Sequence, residues 1–104
     1  MKIQYKTRKL EKILTNERLI KKNYASFYRN VCNRLSELRA ANNIAEIPDF
    51  PPPRRHKLNG YLDNHWGIDI SKNFRIILKP IGIFDIERLD TIVEIEIISL
   101  EDYH

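Results

Sequence analysis

Residues 54–78 read RRHKLNGYLDNHWGIDISKNFRIIL, and the periodicity of this stretch sets the fold class. It holds two of the three histidines, the single tryptophan and two of the three glycines. Its apolar residues recur every second position, the period of a strand with one buried face. Trp66, Ile68 and Ile70 fall on one side, with His65, Gly67 and Asp69 on the other. Phe74, Ile76 and Leu78 then face inward, leaving Arg75, Ile77 and Lys79 on the opposite side. Asn59-Gly60 and Ser71-Lys72-Asn73 are turn formers, so the stretch divides into three short extended segments. Trp66 and Phe74 are the large apolar anchors of the core these segments predict.

On the C-terminal side, Pro80 to Asp90 reads as a loop and Ile92 to Ser99 as a last strand. Glu94 and Glu96 lie on one face of that strand against Val93, Ile95 and Ile97. On the N-terminal side, Pro51-Pro52-Pro53 predicts an extended, stiff approach to the sheet. Residues 17–41 predict one long helix: Ile20, Tyr24, Phe27, Val31, Leu35 and Leu38 succeed one another at spacings of 4, 3, 4, 4 and 3. At about 100° per residue these positions form a single apolar stripe. Arg18, Lys22 and Arg29 project to the other side. A shorter helix precedes it, with Thr7 as cap and Leu10, Ile13 and Leu14 at helical spacing, and Thr15-Asn16 separates the two and can cap the second. Residues 2–6 alternate as a short first strand with Ile3 and Tyr5 on one side. Helices first and antiparallel strands afterwards make the class α+β: two N-terminal helices on a small, mainly antiparallel sheet. Residues 1–104 read as one domain.

Composition narrows the function classes. Cys32 alone cannot form an internal disulfide, which points to a reducing, cytoplasmic setting. One cysteine and three scattered histidines give no paired ligand spacing, so neither a metal nor another cofactor is expected. No apolar run approaches the roughly 20 residues of a membrane span, and no secretory leader is expected. Charge is unevenly spread. Residues 1–41 carry 11 Lys and Arg against 3 Asp and Glu, a net +8, and residues 42–104 carry 7 against 11, a net −4. A basic half of this kind suits a polyanionic partner, although charge alone does not separate RNA from DNA or from an acidic protein surface.

Two groups of side chains could act on such a partner. His56 stands between Arg55 and Lys57, with Arg75 on an adjacent segment of the sheet. Asp102, Tyr103 and His104 come directly after the last strand and offer a carboxylate, an aromatic ring and a second imidazole. Cleaving RNA by internal transfer needs a base for the 2′-hydroxyl, an acid for the leaving oxygen and a cation for the phosphorane charge. Histidine and arginine suit those tasks.

Four pieces in this order and spacing resemble the HigB-type toxins of the RelE/ParE superfamily. They are Arg54-Arg55-His56-Lys57-Leu58-Asn59-Gly60, His65-Trp66-Gly67-Ile68-Asp69-Ile70-Ser71, Asn73-Phe74-Arg75-Ile76 and Glu101-Asp102-Tyr103-His104. The resemblance implies a RelE-like fold and a ribosome-dependent endoribonuclease of a type II toxin–antitoxin system, cutting messenger RNA in the ribosomal A site. It implies His56 and His104 as acid and base, Asp102 and Tyr103 as orienting or substrate-contacting groups, and Arg75 as the phosphorane cation. It implies ribosome and RNA contacts for Arg18, Lys22, Arg29, Arg54, Arg55, Lys57 and Lys79. It also implies a cognate antitoxin, commonly a helix-turn-helix protein. The sequence departs from the family at Lys57 and Asn59, where proline and lysine are usual. Two other readings stand beside this one: a ParE-like poison of DNA gyrase, and a non-catalytic RNA- or protein-binding module on the same scaffold.

Overall fold

In the computed structural model of the chain, residues 1–102 are described. Five strands form one sheet in the order β1-β5-β4-β3-β2. They are β1 (Lys2–Tyr5), β2 (His56–Lys57), β3 (Trp66–Asp69), β4 (Phe74–Pro80) and β5 (Glu94–Asp102). Between β1 and β2 run three helices, α1 (Arg8–Leu14), α2 (Glu17–Asn23) and α3 (Tyr28–Ala40). Three of the four strand pairings are antiparallel; β1 and β5 pair in parallel, so the sheet is mixed.

Thr7 and Asn16 start α1 and α2 by accepting hydrogen bonds from Leu10 N and Leu19 N, at 3.1 and 3.3 Å. Each such cap satisfies one orphaned backbone donor and stabilises the helix by about 1 kcal/mol. The helix expected over 17–41 is broken into α2 and α3, so three helices replace the two expected. Between them Ala25–Phe27 make one turn of 3-10 helix. The break brings two rings onto Phe74: Phe27 stacks on it with centroids 4.8 Å apart, and Tyr24 lies tilted at 5.9 Å. A 3-10 turn advances three residues per turn, so the apolar spacing passes through the break almost unchanged and does not reveal it.

All three helices lie on one face of the sheet. Leu14, Ile20, Val31, Leu35 and Leu38 meet Trp66, Ile68, Ile76, Leu78, Ile95 and Ile97 in one core cluster. Each such side chain, fully buried, contributes about 1.5–3 kcal/mol. The three prolines turn rather than extend, with Arg54 N donating to Phe50 O at 3.0 Å. Arg55 N to Pro48 O at 2.9 Å closes the turn on the segment before it, and Asp69 N to Pro53 O at 2.7 Å ties it to β3. Tertiary pairing here overrides the local preference of a proline run for extension.

One irregularity matters for the site. Leu78 pairs with Ile97 but Ile77 pairs with Ser99, which leaves Ile98 as an unpaired bulge in β5. Beyond a one-residue bulge every side chain changes face. Glu94 and Glu96 therefore lie on the face away from the helices, and after the bulge that face is continued by Ser99 and Glu101.

Candidate active site on the open sheet face

The face of the sheet that carries no helix presents two adjoining rows of residues. In the first, His56, Gly67, Ile77 and Ser99 are successive partners across β2, β3, β4 and β5. In the second, Asp69, Arg75 and Glu101 are partners across β3, β4 and β5. Directly opposed residues on neighbouring strands project to the same side. With strands about 4.8 Å apart and a two-residue offset, the Cα atoms of His56 and Arg75 stand roughly 12 Å apart, within reach of a shared phosphodiester for two long side chains.

His56 is held in one orientation. A Cβ built on Gly67 would lie 2.9 Å from both Cε1 and Nε2 of the His56 ring and 3.3 Å from Leu58 Cδ2. The ring therefore occupies the space that a side chain at 67 would fill. Leu58 and Ile77 are buried beside it without joining the main core. His56 Nδ1 lies 2.7 Å from the Arg54 carbonyl oxygen. A carbonyl can only accept, so this bond requires the proton on Nδ1. In the neutral ring the lone pair is then on Nε2, the atom needed for proton abstraction.

Arg75 and Glu101 are both half-buried, and Ser99 Oγ donates to Glu101 Oε2 at 2.7 Å. The face is close to charge-balanced. Arg54 forms a two-bond pair with Asp69 (Nε to Oδ2 2.5 Å, Nη2 to Oδ1 3.2 Å), and Lys79 pairs with Glu96 at 3.7 Å. Among the described residues no group of three or more His, Cys, Asp or Glu could hold a metal ion.

The residues that the sequence singles out are only partly brought together. His56 and Arg75 share the open face. Asp102 does not: it is the partner of Phe74, whose ring packs on Phe27, so its side chain projects to the helix side. Tyr103 and His104 lie outside the described residues. Arg54 and Lys79 are on the open side, each in an ion pair. Arg55 turns the other way, donating from Nε to Ile47 O at 2.8 Å with its guanidinium 5.3 Å from the Trp66 ring centre. Lys57 is the partner of Trp66 and so also projects to the helix side, exposed. Arg18, Lys22 and Arg29 are exposed on α2 and α3, on the far side of the sheet from Arg75.

Three residues of the open face, Glu101, Asp69 and Gly67, escape the sequence reading as site residues. Glu101 is hidden by the bulge: unbroken alternation from Glu94 and Glu96 leads to Asp102 instead. Gly67 carries a signal, since a glycine inside a strand often marks a close approach. Asp69 does too, as an acid sharing the period-two face of Gly67.

Burial raises the Tyr24 hydroxyl above its ordinary pKa, and the Glu17 carboxylate raises that of Tyr28, to which it is hydrogen-bonded at 3.3 Å. Both tyrosines lie on the helix side and take no part in the open face.

No protein-family model matches the sequence, and no curated protein does so. Solved structures do resemble it. A YoeB/ParE toxin from Agrobacterium tumefaciens superposes with a TM-score of 0.60 over 100% of both chains at 12% identity. A chain of the YoeB-YefM complex from Staphylococcus aureus superposes with a TM-score of 0.56, also at 12% identity, over 100% of this chain and 97% of that one. At such identities the likeness is one of fold. Three helices on a five-stranded mixed sheet are the architecture in which this chain resembles the YoeB/ParE toxins.

Proposed function

We propose that this chain is the toxin of a type II toxin–antitoxin pair and that it cuts messenger RNA on the ribosome. The observation that carries the reading is His56, with its Nδ1 proton committed to a backbone carbonyl and its Nε2 left as the basic atom, on the same open face as Arg75. The shared YoeB/ParE architecture supports the toxin part.

The chemistry is internal transfer. One base removes the 2′-hydroxyl proton, the oxygen attacks phosphorus, and the P–O5′ bond breaks as an acid protonates the leaving oxygen. The products are a 2′,3′-cyclic phosphate and a 5′-hydroxyl end, with no water consumed and no redox change. His56 Nε2 supplies one proton site, and His104 is the partner the family resemblance assigns. Arg75 takes the charge that grows on the equatorial phosphorane oxygens. Tyr103 offers a ring for a base to stack on, and Asp102 orients the segment that carries it. The exposed cations Arg18, Lys22, Arg29 and Lys57 serve ribosomal RNA, while Arg54, Arg55 and Lys79 are held by partners of their own chain and contribute less. The antitoxin, of the helix-turn-helix kind in the HigB pattern, blocks the open face, and the pair works in the cytoplasm.

Primer extension on a reporter message, with purified ribosomes and then without, tests this. Cuts that appear only with ribosomes, and vanish in His56→Ala and His104→Ala, support it. Intact messages together with arrested gyrase supercoiling would overturn it in favour of a gyrase poison. Intact messages and normal supercoiling would leave a binding module.

A further inference from the structure

Asp69 makes three bonds to the turn that precedes β2. Its backbone N–H donates to Pro53 O at 2.7 Å, and its carboxylate takes two bonds from the next residue, Arg54, at 2.5 and 3.2 Å. The Asp69 side chain is 13% exposed and that of Arg54 40%, so the carboxylate end of the pair is sheltered while water screens it from the arginine side. Arg54 has φ +40°, in the left-handed region that costs a non-glycine residue on the order of 1–2 kcal/mol and needs surroundings that enforce it. The carbonyl oriented by that conformation is the one that accepts from His56 Nδ1.

We infer that Asp69 is a positioning residue for His56: by pinning Arg54 in its left-handed conformation, it aims the Arg54 carbonyl at Nδ1 and so fixes which imidazole nitrogen is basic. The chain of contacts runs from the Asp69 carboxylate to the Arg54 guanidinium, through the Arg54 backbone, to the ring. Asp69 is also the cross-strand partner of Arg75, so one residue is tied to the backbone that holds His56 and lies opposite the cation assigned to the reaction. An ion pair serving stability alone would bear no relation to the tautomer of a histidine on another strand. The catalytic meaning of this rests on the function proposed above, but the tautomer itself does not.

The test reads the ring directly. Long-range proton–nitrogen correlation spectra of 15N-labelled protein, at about pH 8 where an ordinary histidine is neutral, distinguish protonated from lone-pair nitrogens. In the wild type, the His56 Nδ1 shift is expected at the protonated extreme and Nε2 at the lone-pair extreme. In Asp69→Asn and in Arg54→Ala the two shifts are expected to move toward each other, as the ring samples both tautomers. Glycine adopts the left-handed conformation without strain. The double variant Arg54→Gly/Asp69→Asn is therefore expected to recover most of the wild-type separation, although it lacks the ion pair. If Asp69→Asn does not fold, Arg54→Ala against Arg54→Gly asks the same question.

Unchanged His56 shifts in folded Asp69→Asn, or in Arg54→Ala, overturn the inference. So does a double variant no better than Asp69→Asn alone. In ribosome-dependent cleavage, Asp69→Asn is expected to lower kcat about tenfold or more with KM kept. A wild type that shows the expected tautomer and cuts no RNA removes the function and leaves the positioning intact. A wild type that cuts RNA while Asp69→Asn leaves the ring unmoved does the reverse.

Discussion

Arg75 and Glu101 stand directly opposite each other on β4 and β5, on the face of the sheet that the helices leave open. A carboxylate on the facing strand lowers the positive potential around a guanidinium, so Glu101 bears on how strongly Arg75 attracts an RNA phosphate. Ser99 donates to one Glu101 oxygen, which fixes the carboxylate's orientation. Glu101 is thus placed both to temper Arg75 and to exchange a proton with substrate. Glu101→Gln is expected to lower the single-turnover cleavage rate on the order of a hundredfold while RNA affinity holds or rises. An unchanged rate would take Glu101 out of the chemistry.

Gly67→Ala puts a methyl group into the space of the His56 ring, 2.9 Å from two of its atoms. The ring is the more mobile partner and must swing away, while the strand backbone tolerates alanine. The variant is expected to fold, with a melting temperature within a few degrees of wild type, yet to lose on the order of a hundredfold in cleavage, since misplacement by about 1 Å costs that much. Thermal melting and a cleavage assay on the same sample separate the two effects.

Ile97 is fully buried opposite Leu78, whereas Ile83 in the β4–β5 loop is fully exposed. Ile97→Ala is expected to cost about 2–5 kcal/mol in urea unfolding, from lost transfer energy and a residual cavity. Ile83→Ala is expected to stay within about 0.5 kcal/mol. Equal losses would mean that the helix-covered face of the sheet is not the main core.

Burial raises the Cys32 thiol above its ordinary 9.0, and the Glu17 carboxylate adds to this, while Tyr28 and Arg39 act in the opposite sense. A folded pKa above the unfolded one means the native state keeps its proton to higher pH. That contribution to stability is whole below the unfolded pKa and is lost as pH rises through the folded one. Iodoacetamide labelling of the native protein is expected to show a midpoint above that of the denatured chain, and Glu17→Gln is expected to bring it down. A native midpoint at or below the denatured one would contradict the burial of Cys32.

Much of the fold is legible where one periodicity governs a whole element. The caps at Thr7 and Asn16, the inward set Trp66, Ile68 and Ile70, and the strand character of residues 2–6 come from local chemistry and alternation. Sequence and structure part where a third partner decides. Tyr24 to Phe27 leave the α-helix because Phe74, some fifty residues on, attracts their rings, and no spacing within 17–41 encodes that. The parallel pairing of β1 with β5 depends on how the helices return the chain to the sheet. At the site, His56 and Arg75 can be grouped because both obey the period of their strands. Asp102 cannot, because the bulge at Ile98 inverts the facing of every later residue in β5, and the carboxylate on the open face at this end of the strand is that of Glu101. In the sequence Arg54 is one more cation for a phosphate. Its left-handed backbone and its grip on Asp69 are invisible without the turn at residues 51–53.

The placing of β5 between β1 and β4 has a temporal meaning. Among the described residues it comes last in sequence, and it joins the first strand to the rest of the sheet. While a ribosome is still making the protein, β1 and the helices emerge with no completed sheet to cover, and the row of Asp69, Arg75 and Glu101 lacks its last member. Pairings this distant in sequence close slowly and late. The row of Asp69, Arg75 and Glu101 is complete only once residues 94–102 have left the ribosome, so whatever this face does must wait for the strand that closes the sheet.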